Sequence, residues 1–351
     1  AGHTVTLLHV EREDGDREAM KAAWGEGYLH TDYRPPRTLG LRLRKKLSRL
    51  RGSQGVHNFR IDDWYDSALD RVLDDLQSSH RFDAVIVEYV FLSRALLRFG
   101  RGVRKLIDTH DIYTDRHPRY LDQGQEPLWY STTEAEVGRG FDRADTVMAI
   151  TDKERDVFAA MTQTPVITVG HFIACEGRDP ALVKSGSLLF VASNNPINLH
   201  GLNWFLDEVS PQLLTLHPDI EVWLVGTIAD QVDDRPGVVR MGRIDDLADV
   251  YRQAHVVINP VRFNTGLSIK NLEAMAYSRP LVSCVAGADG LERSAGIAFL
   301  TADEPDAFAE AVNRVLCDPD LASDLGERAR AEASAWNVAN LRELNQALGA
   351  G

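Results

Sequence analysis

Asn259-Pro-Val-Arg-Phe-Asn-Thr-Gly-Leu-Ser-Ile-Lys-Asn-Leu-Glu-Ala-Met-Ala-Tyr-Ser-Arg-Pro-Leu-Val-Ser283 is the segment from which the rest of the chain can be read. The apolar run Val256 to Ile258 just before it predicts a buried parallel strand ending at Asn259-Pro260. A loop with Gly266 follows, and Ser268 to Tyr277 reads as a helix stopped by Pro280. A strand, a glycine-containing turn and a helix N-terminus make a natural anion seat, because backbone N–H groups and the helix dipole converge there. Lys270 in the first turn and Arg262 before the loop supply two cations beside that seat. Glu273 lies three residues after Lys270 on the same helix face. Its carboxylate suits the paired hydroxyls of a ribose, and phosphate plus ribose means a nucleotide. The alternative is a generic strand–turn–helix unit with a solvated Lys–Glu pair, and spacing alone leaves both open.

Thr-Gly-Leu-Ser-Ile-Lys-Asn-Leu-Glu-Ala-Met-Ala (265–276), followed by Arg279-Pro-Leu-Val282 and Gly287-Ala-Asp-Gly-Leu291, resembles the donor-site signature of family 4, group 1 glycosyltransferases. The resemblance implies a donor site lined by Asn264, Thr265, Gly266, Leu267, Ser268 and Glu273, with Lys270 and Arg262 at the diphosphate. One departure stands out. The first glutamate of the family's usual pair would fall at Thr265, so only Glu273 is present. A sub-branch with a Gly-x-Gly…Lys…Glu pattern is similar, with Asn264 in place of its first glycine.

A chain of 351 residues predicts about two domains. Its 44% apolar content is ordinary for a globular protein, and a net charge of −13 argues against a nucleic-acid partner. Cys175, Cys284 and Cys317 are odd in number and lack metal-ligand spacing, which suggests a reducing compartment. No apolar run is long enough to span a membrane, and no signal-peptide pattern opens the chain. A cytoplasmic protein is therefore expected, peripheral to a membrane if the basic stretch described below meets lipid. The opening Ala-Gly-His-Thr-Val resembles the family's second strand, so the first strand of the N-terminal domain is expected to be missing from a truncated start.

Taken in order, Val5 to Val10 predicts a strand and 11–33 a polar surface loop. Between Arg34 and Arg51 lie eight basic residues and no acidic one, and Leu39, Leu43, Leu47 and Leu50 fall at helical spacing. That pattern predicts a basic amphipathic helix, either a solvated face or a contact to an anionic membrane. A helix over 66–78, strands over 84–89 and 103–108, a helix over 127–143 and a strand over 146–150 follow. Thr151 to Glu154 is a capping box, and strand 166–169 closes the first half. The second half begins with strand 188–192 and helix 199–216, then strands 221–225 and 238–241, helix 245–253 and the segment quoted above. Helices near 304–316, 319–335 and 338–348 end the chain.

Strands alternating with helices predict two doubly wound parallel sheets. The fold class is α/β of the GT-B type, two Rossmann-like domains facing across a cleft. We expect an acceptor-side domain over 1–172, a donor domain over 185–336, and a last helix (337–351) that returns to the first domain, as in relatives.

By resemblance, His110 at a strand end meets the donor sugar; otherwise it caps a turn through Asp111. Glu88, Tyr89 and Asp111 are acceptor-side candidates, and Glu88 reads equally as a core-edge carboxylate. Gly226 ends a strand on the nucleotide side, and relatives read the base just after the position of Gly242, at Arg243 and Ile244. Asn194 and Asn198 bond sugar or phosphate, or cap a helix. Their loop carries no cation, which leaves the diphosphate to Lys270 and Arg262.

The function expected is transfer of a sugar, with retention, from a nucleoside-diphosphate sugar to a hydroxyl of a saccharide or lipid-linked acceptor. Catalysis rests on leaving-group stabilisation, with no metal and no cofactor beyond the sugar nucleotide. The alternatives are an inactive nucleotide-sugar binder and a GT-B sugar-nucleotide epimerase. An NAD-dependent oxidoreductase fits the sheets but lacks a Gly-x-Gly-x-x-Gly turn after any predicted strand.

Overall fold

The computed structural model describes residues 2–12, 16–34, 57–122, 130–263 and 266–349. Asn264, Thr265 and the basic helix expected over Leu39–Arg51 lie outside them. The chain divides into two compact units, Ala1–Met148 with Asp156–Ile167, and Ala149–Arg155 with Thr168–Gly351.

In the first unit, β1 (Leu7–Glu11) pairs in parallel with β2 (Tyr28–Asp32), joined by α1 (Arg17–Trp24). The surface loop expected over 11–33 is therefore a helix and a strand. Asp16 caps α1, its carboxylate accepting the Ala19 N–H at 2.9 Å, and β2 finds its partner only in three dimensions. A four-stranded sheet follows in the order β3 (Ala84–Glu88), β4 (Arg104–Asp108), β5 (Thr146–Ala149), β6 (Val166–Thr168). It is flanked by α2 (Leu69–Ser79), α3 (Arg116–Asp122), α4 (Glu134–Phe141) and α5 (Asp152–Ala159). The helix expected over 127–143 begins only at Glu134 within the described residues, where Thr133 caps it by accepting the Glu136 N–H.

The second unit is a six-stranded parallel sheet in the order β12 (Leu300–Thr301), β11 (Leu281–Ser283), β10 (Val256–Asn259), β7 (Ser187–Val191), β8 (Glu221–Val225), β9 (Val238–Gly242). Alternation along each strand divides its core. Leu188, Phe190, Leu224 and Ile258 pack on one face with Phe205 and Phe308; Leu189, Val225 and Val257 pack on the other with Leu272 and Met275. Both faces of the inner strands are buried, as a parallel sheet between helices requires, while β9 at the edge is largely exposed. Truncating one such side chain to alanine costs about 2–5 kcal/mol.

The covering helices are α6 (Pro196–Trp204), which runs through one π turn (Phe205–Val209) into α7 (Ser210–Leu216), then α8 (Ala248–Gln253), α9 (Ile269–Ala276), α10 (Pro305–Cys317) and α11 (Pro319–Leu348). α11 is one helix of 30 residues where the sequence predicted two. The polar residues read as a break bond sideways instead. Trp336 Nε1 donates to the His171 carbonyl at 2.8 Å and Asn337 Nδ2 to that of Ile173 at 2.6 Å.

The strand order fixes where a ligand would bind. The chain winds from β7 outward to β9, then returns to lay β10 on the other side of β7. Between the C-terminal ends of β7 and β10 lies the topological switch point, the usual binding crevice of such sheets.

Candidate donor site

Two loops flank the switch point, one after β7 and one after β10. Asn195 ends the first by capping α6, its Oδ1 accepting the Asn198 N–H at 2.8 Å. Pro196 then occupies the first turn, where a missing N–H costs nothing. The structure thus starts this helix three residues before the expected position. Gly201 lets α6 approach the second loop, since a Cβ there would strike the Pro260 carbonyl. Gly226, at φ +98°, lies against the Ala192 carbonyl with no room for a side chain.

Asn198 is buried and doubly bonded. Its Nδ2 donates to the Ser193 carbonyl at 3.0 Å, and its Oδ1 accepts from Lys270 Nζ at 2.8 Å. Lys270, in the first turn of α9, also lies 5.2 Å from the Phe190 ring centroid. Burial pushes its ammonium down to about 8. Glu273 follows one turn later. Burial raises its carboxyl above the usual range, while the Tyr251 hydroxyl, His171 and Lys270 act in the opposite direction. Tyr251 donates to Glu273 Oε2 at 2.8 Å from α8.

The loop amides differ from the expectation of free anion-binding N–H groups. Gly266 N–H donates to Asp289 Oδ2 at 3.0 Å, and Ser268 N–H to the Asp289 carbonyl at 3.1 Å. Lys153 donates to the other oxygen of that carboxylate at 3.1 Å. Ser268 does not cap α9 with its side chain; its Oγ accepts from Asn259 Nδ2. The same amide reaches Asn271 Oδ1 and the Gly287 carbonyl. Leu267 sits against the core beside Gly290.

The other candidates make contacts of their own. The Arg262 guanidinium lies over the Trp204 ring, 4.8 Å from its centroid. Arg243 is exposed, and Ile244 packs partly into the core. The Asn194 N–H donates to Thr227 Oγ1 at 3.0 Å. Tyr251, Asp289, Asn259 and His171 escaped the sequence reading. Only Asp289 carried a signal, as the acid within Gly287-Ala-Asp-Gly290.

In the first unit, β3 and β4 end side by side, with Glu88 in register with Asp108. Just beyond them, Tyr89 has φ 68° and His110, one residue further on, φ 59°, a region that costs a non-glycine residue about 1–2 kcal/mol. His110 Nε2 bonds Glu88 Oε2, and its ring lies 4.6 Å from that of Tyr89. The Glu88 contact raises the imidazole pKa against burial. Burial pushes the Asp108 carboxyl up to about 6, and its Oδ1 has no hydrogen-bond partner among the described residues. Asp111 does not bond His110; it accepts from Arg116 at 3.1 Å. Glu88 is exposed rather than a core-edge group.

Among the described residues, Glu88, Asp108 and His110 form one set of metal-ligand type within 4.8 Å, and Glu11, His30 and Asp32 form another. Arg17 already pairs with Glu11 and Asp32 in the latter.

Residues 185–318 match the family described as Glycosyl transferases group 1. A 44.6 kDa protein of the cps region of Klebsiella pneumoniae is 25% identical over 127 residues, 33% of each chain. The chain spans about a third of the length of the curated relatives it matches. Anabaena HepE, solved with UDP and glucose, superimposes with a TM-score of 0.64 at 14% identity, covering 98% of this chain and 92% of that one. A glycosyltransferase from Rickettsia africae gives 0.65 at 12% identity, covering 99% and 90%. The fold is therefore that of the GT-B glycosyltransferases, and residues 185–318 are similar to the group 1 glycosyltransferases.

Proposed function

We propose that the protein transfers a sugar from a nucleoside-diphosphate sugar to an acceptor hydroxyl, with retention of configuration. The observation that carries this reading is the Lys270–Asn198 pair across the switch point, with Glu273 one helical turn beyond. Lys270 offsets charge on the departing diphosphate, where a desolvated cation acts more strongly than in water. Glu273 accepts from the ribose hydroxyls, and the segments around Asn194, Gly226, Arg243–Ile244 and Gly266–Ser268 shape the rest of the donor site. Arg262 joins the diphosphate by leaving Trp204. His110 is the proposed contact to the donor sugar, with Glu88, Tyr89 and Asp111 on the acceptor side.

The UDP and glucose bound to HepE support a nucleotide sugar as donor. The basic run 34–51 favours a lipid-linked acceptor at an anionic surface. Among the described residues no helix is long and apolar enough to cross a membrane. Thr265, in place of the family's first glutamate, favours a second reading, a nucleotide-sugar binder without turnover.

Thermal melts against uridine, guanosine and adenosine diphosphates identify the base, because binding to the native state raises apparent stability. Release of sugar from the matching nucleotide sugar then separates the readings. Transferase predicts release or transfer; binding without either supports the inactive binder. Stability unchanged by all three diphosphates would sink both.

A further inference from the structure

Tyr251 is a phenol with no solvent exposure, held from α8 beneath α9. Its ring stacks on Tyr277 with centroids 5.0 Å apart and planes 8° from parallel, and its hydroxyl meets Glu273 at 2.8 Å. A buried phenol needs a partner, and apolar packing alone would be met as well by phenylalanine. This one spends its single O–H on one oxygen of the carboxylate proposed to hold ribose. Among the described residues, Glu273 Oε1 receives no hydrogen bond.

We propose that Tyr251 is a positioning residue for Glu273: its hydroxyl fixes Oε2 and leaves Oε1 as the acceptor for a ribose hydroxyl. The proposal rests on the ribose reading of Glu273 and extends it to a residue that would not touch the ligand. A glutamate side chain left to rotate would lose conformational freedom on each binding event, whereas one already held does not. The hydrogen bond also favours the ionised form, the form that accepts from a ribose hydroxyl. His171, Lys270 and Tyr277 are the other titratable groups interacting with Glu273. Tyr251→Phe changes none of them.

The experiment is calorimetric titration of the full chain with uridine and guanosine diphosphates, and with the 2′-deoxy analogue of the tighter one, from pH 5 to 8. Tyr251→Phe is expected to weaken the ribonucleotide about 5- to 20-fold and the deoxynucleotide less. Acid protonates Glu273, so wild-type affinity falls as pH falls, and in Tyr251→Phe that fall begins at a higher pH. Tyr277→Leu removes the stacking partner but keeps the hydroxyl, and should retain discrimination between the two sugars. Melts without ligand show that each variant is folded. Wild-type affinity and an unmoved acid limb in Tyr251→Phe would overturn the proposal. Equal weakening of both sugars would do the same, because it indicates loosened packing. Glu273→Gln tests the underlying reading separately: if it binds ribonucleotide as tightly as wild type, the ribose assignment itself fails.

Discussion

Lys270 Nζ donates to Asn198 Oδ1 at 2.8 Å, and this bond ties the helix after β10 to the helix after β7. In the proposed donor site this ammonium faces the diphosphate, and its hydrogen-bond partner Asn198 is neutral. Replacing Asn198 by aspartate supplies a carboxylate at the same place. Asn198→Asp should therefore bind nucleoside diphosphate about tenfold more weakly at pH 7, while the nucleoside alone is unaffected. Calorimetry of both ligands decides it, and unchanged diphosphate affinity would show that Lys270 does not face the phosphates.

Lys270 itself gives a pH signature. Its buried ammonium titrates near 8, well below the ordinary lysine value, so charge is lost as pH rises through that point. Diphosphate affinity is expected to fall above pH 8, by at most about tenfold per unit. Lys270→Met should bind about 10- to 100-fold more weakly at pH 7 and lack that decline, with turnover lowered at least as much. The unliganded protein should show the opposite trend. Between about 8 and the unfolded lysine value the unfolded chain binds more protons, so stability rises with pH. Denaturant melts at pH 7, 8.5 and 10 check the sign.

Glu273→Ala is predicted to cost about 1.5–3 kcal/mol of nucleotide affinity, the value of hydrogen bonds to a charged group. The loss should be confined to ribonucleotides. A folded variant with unaltered affinity for the diphosphate would remove Glu273 from the site.

Glu88→Gln should move the His110 titration downward, since the Glu88 contact is the largest cause of its raised value. A histidine whose folded pKa is raised stabilises the fold fully below its ordinary value, and that contribution fades as pH rises through the folded pKa. The variant should lack this fade. Proton NMR of the imidazole against pH reads the shift, and identical curves for wild type and variant would exclude the pairing in solution.

The run from Arg34 to Arg51 is predicted to bind anionic vesicles. Each basic residue near such a surface contributes about 1 kcal/mol, and salt screens the interaction. Changing Lys45, Lys46 and Arg49 to glutamate should abolish co-sedimentation that wild type shows at low salt. Equal sedimentation of the two proteins would leave the run a solvated face.

Much of the second unit was legible because its signals are local. Val256 to Asn259 is a central strand flanked by others, so both faces are apolar, and Lys270 and Glu273 follow on one short helix whose face the spacing alone defines. Tyr251 was not legible. Its partner is 22 residues away on another helix, and in sequence it is one more aromatic on the buried side of a short amphipathic helix. The loop amides failed for the same reason: nothing local says that the Asp289 carboxylate will take the Gly266 N–H. α11 failed differently. Trp336 and Asn337 look like a helix end, but backbone carbonyls about 165 residues earlier satisfy them and the helix runs on. β2 reads as loop because its pairing with β1, rather than any strong alternation, makes it a strand.

Tyr89 and His110 hold left-handed backbone at the ends of neighbouring strands. Glycine at either position would relax the turn, and a screen for melting temperature alone would be drawn to both substitutions. Each would discard a ring that the proposed function uses. Thermal hardening of this protein therefore has to begin away from these two corners. On the proposed function, an ancestral or consensus sequence with glycine at one of them would mark a lineage in which this corner no longer meets the sugar.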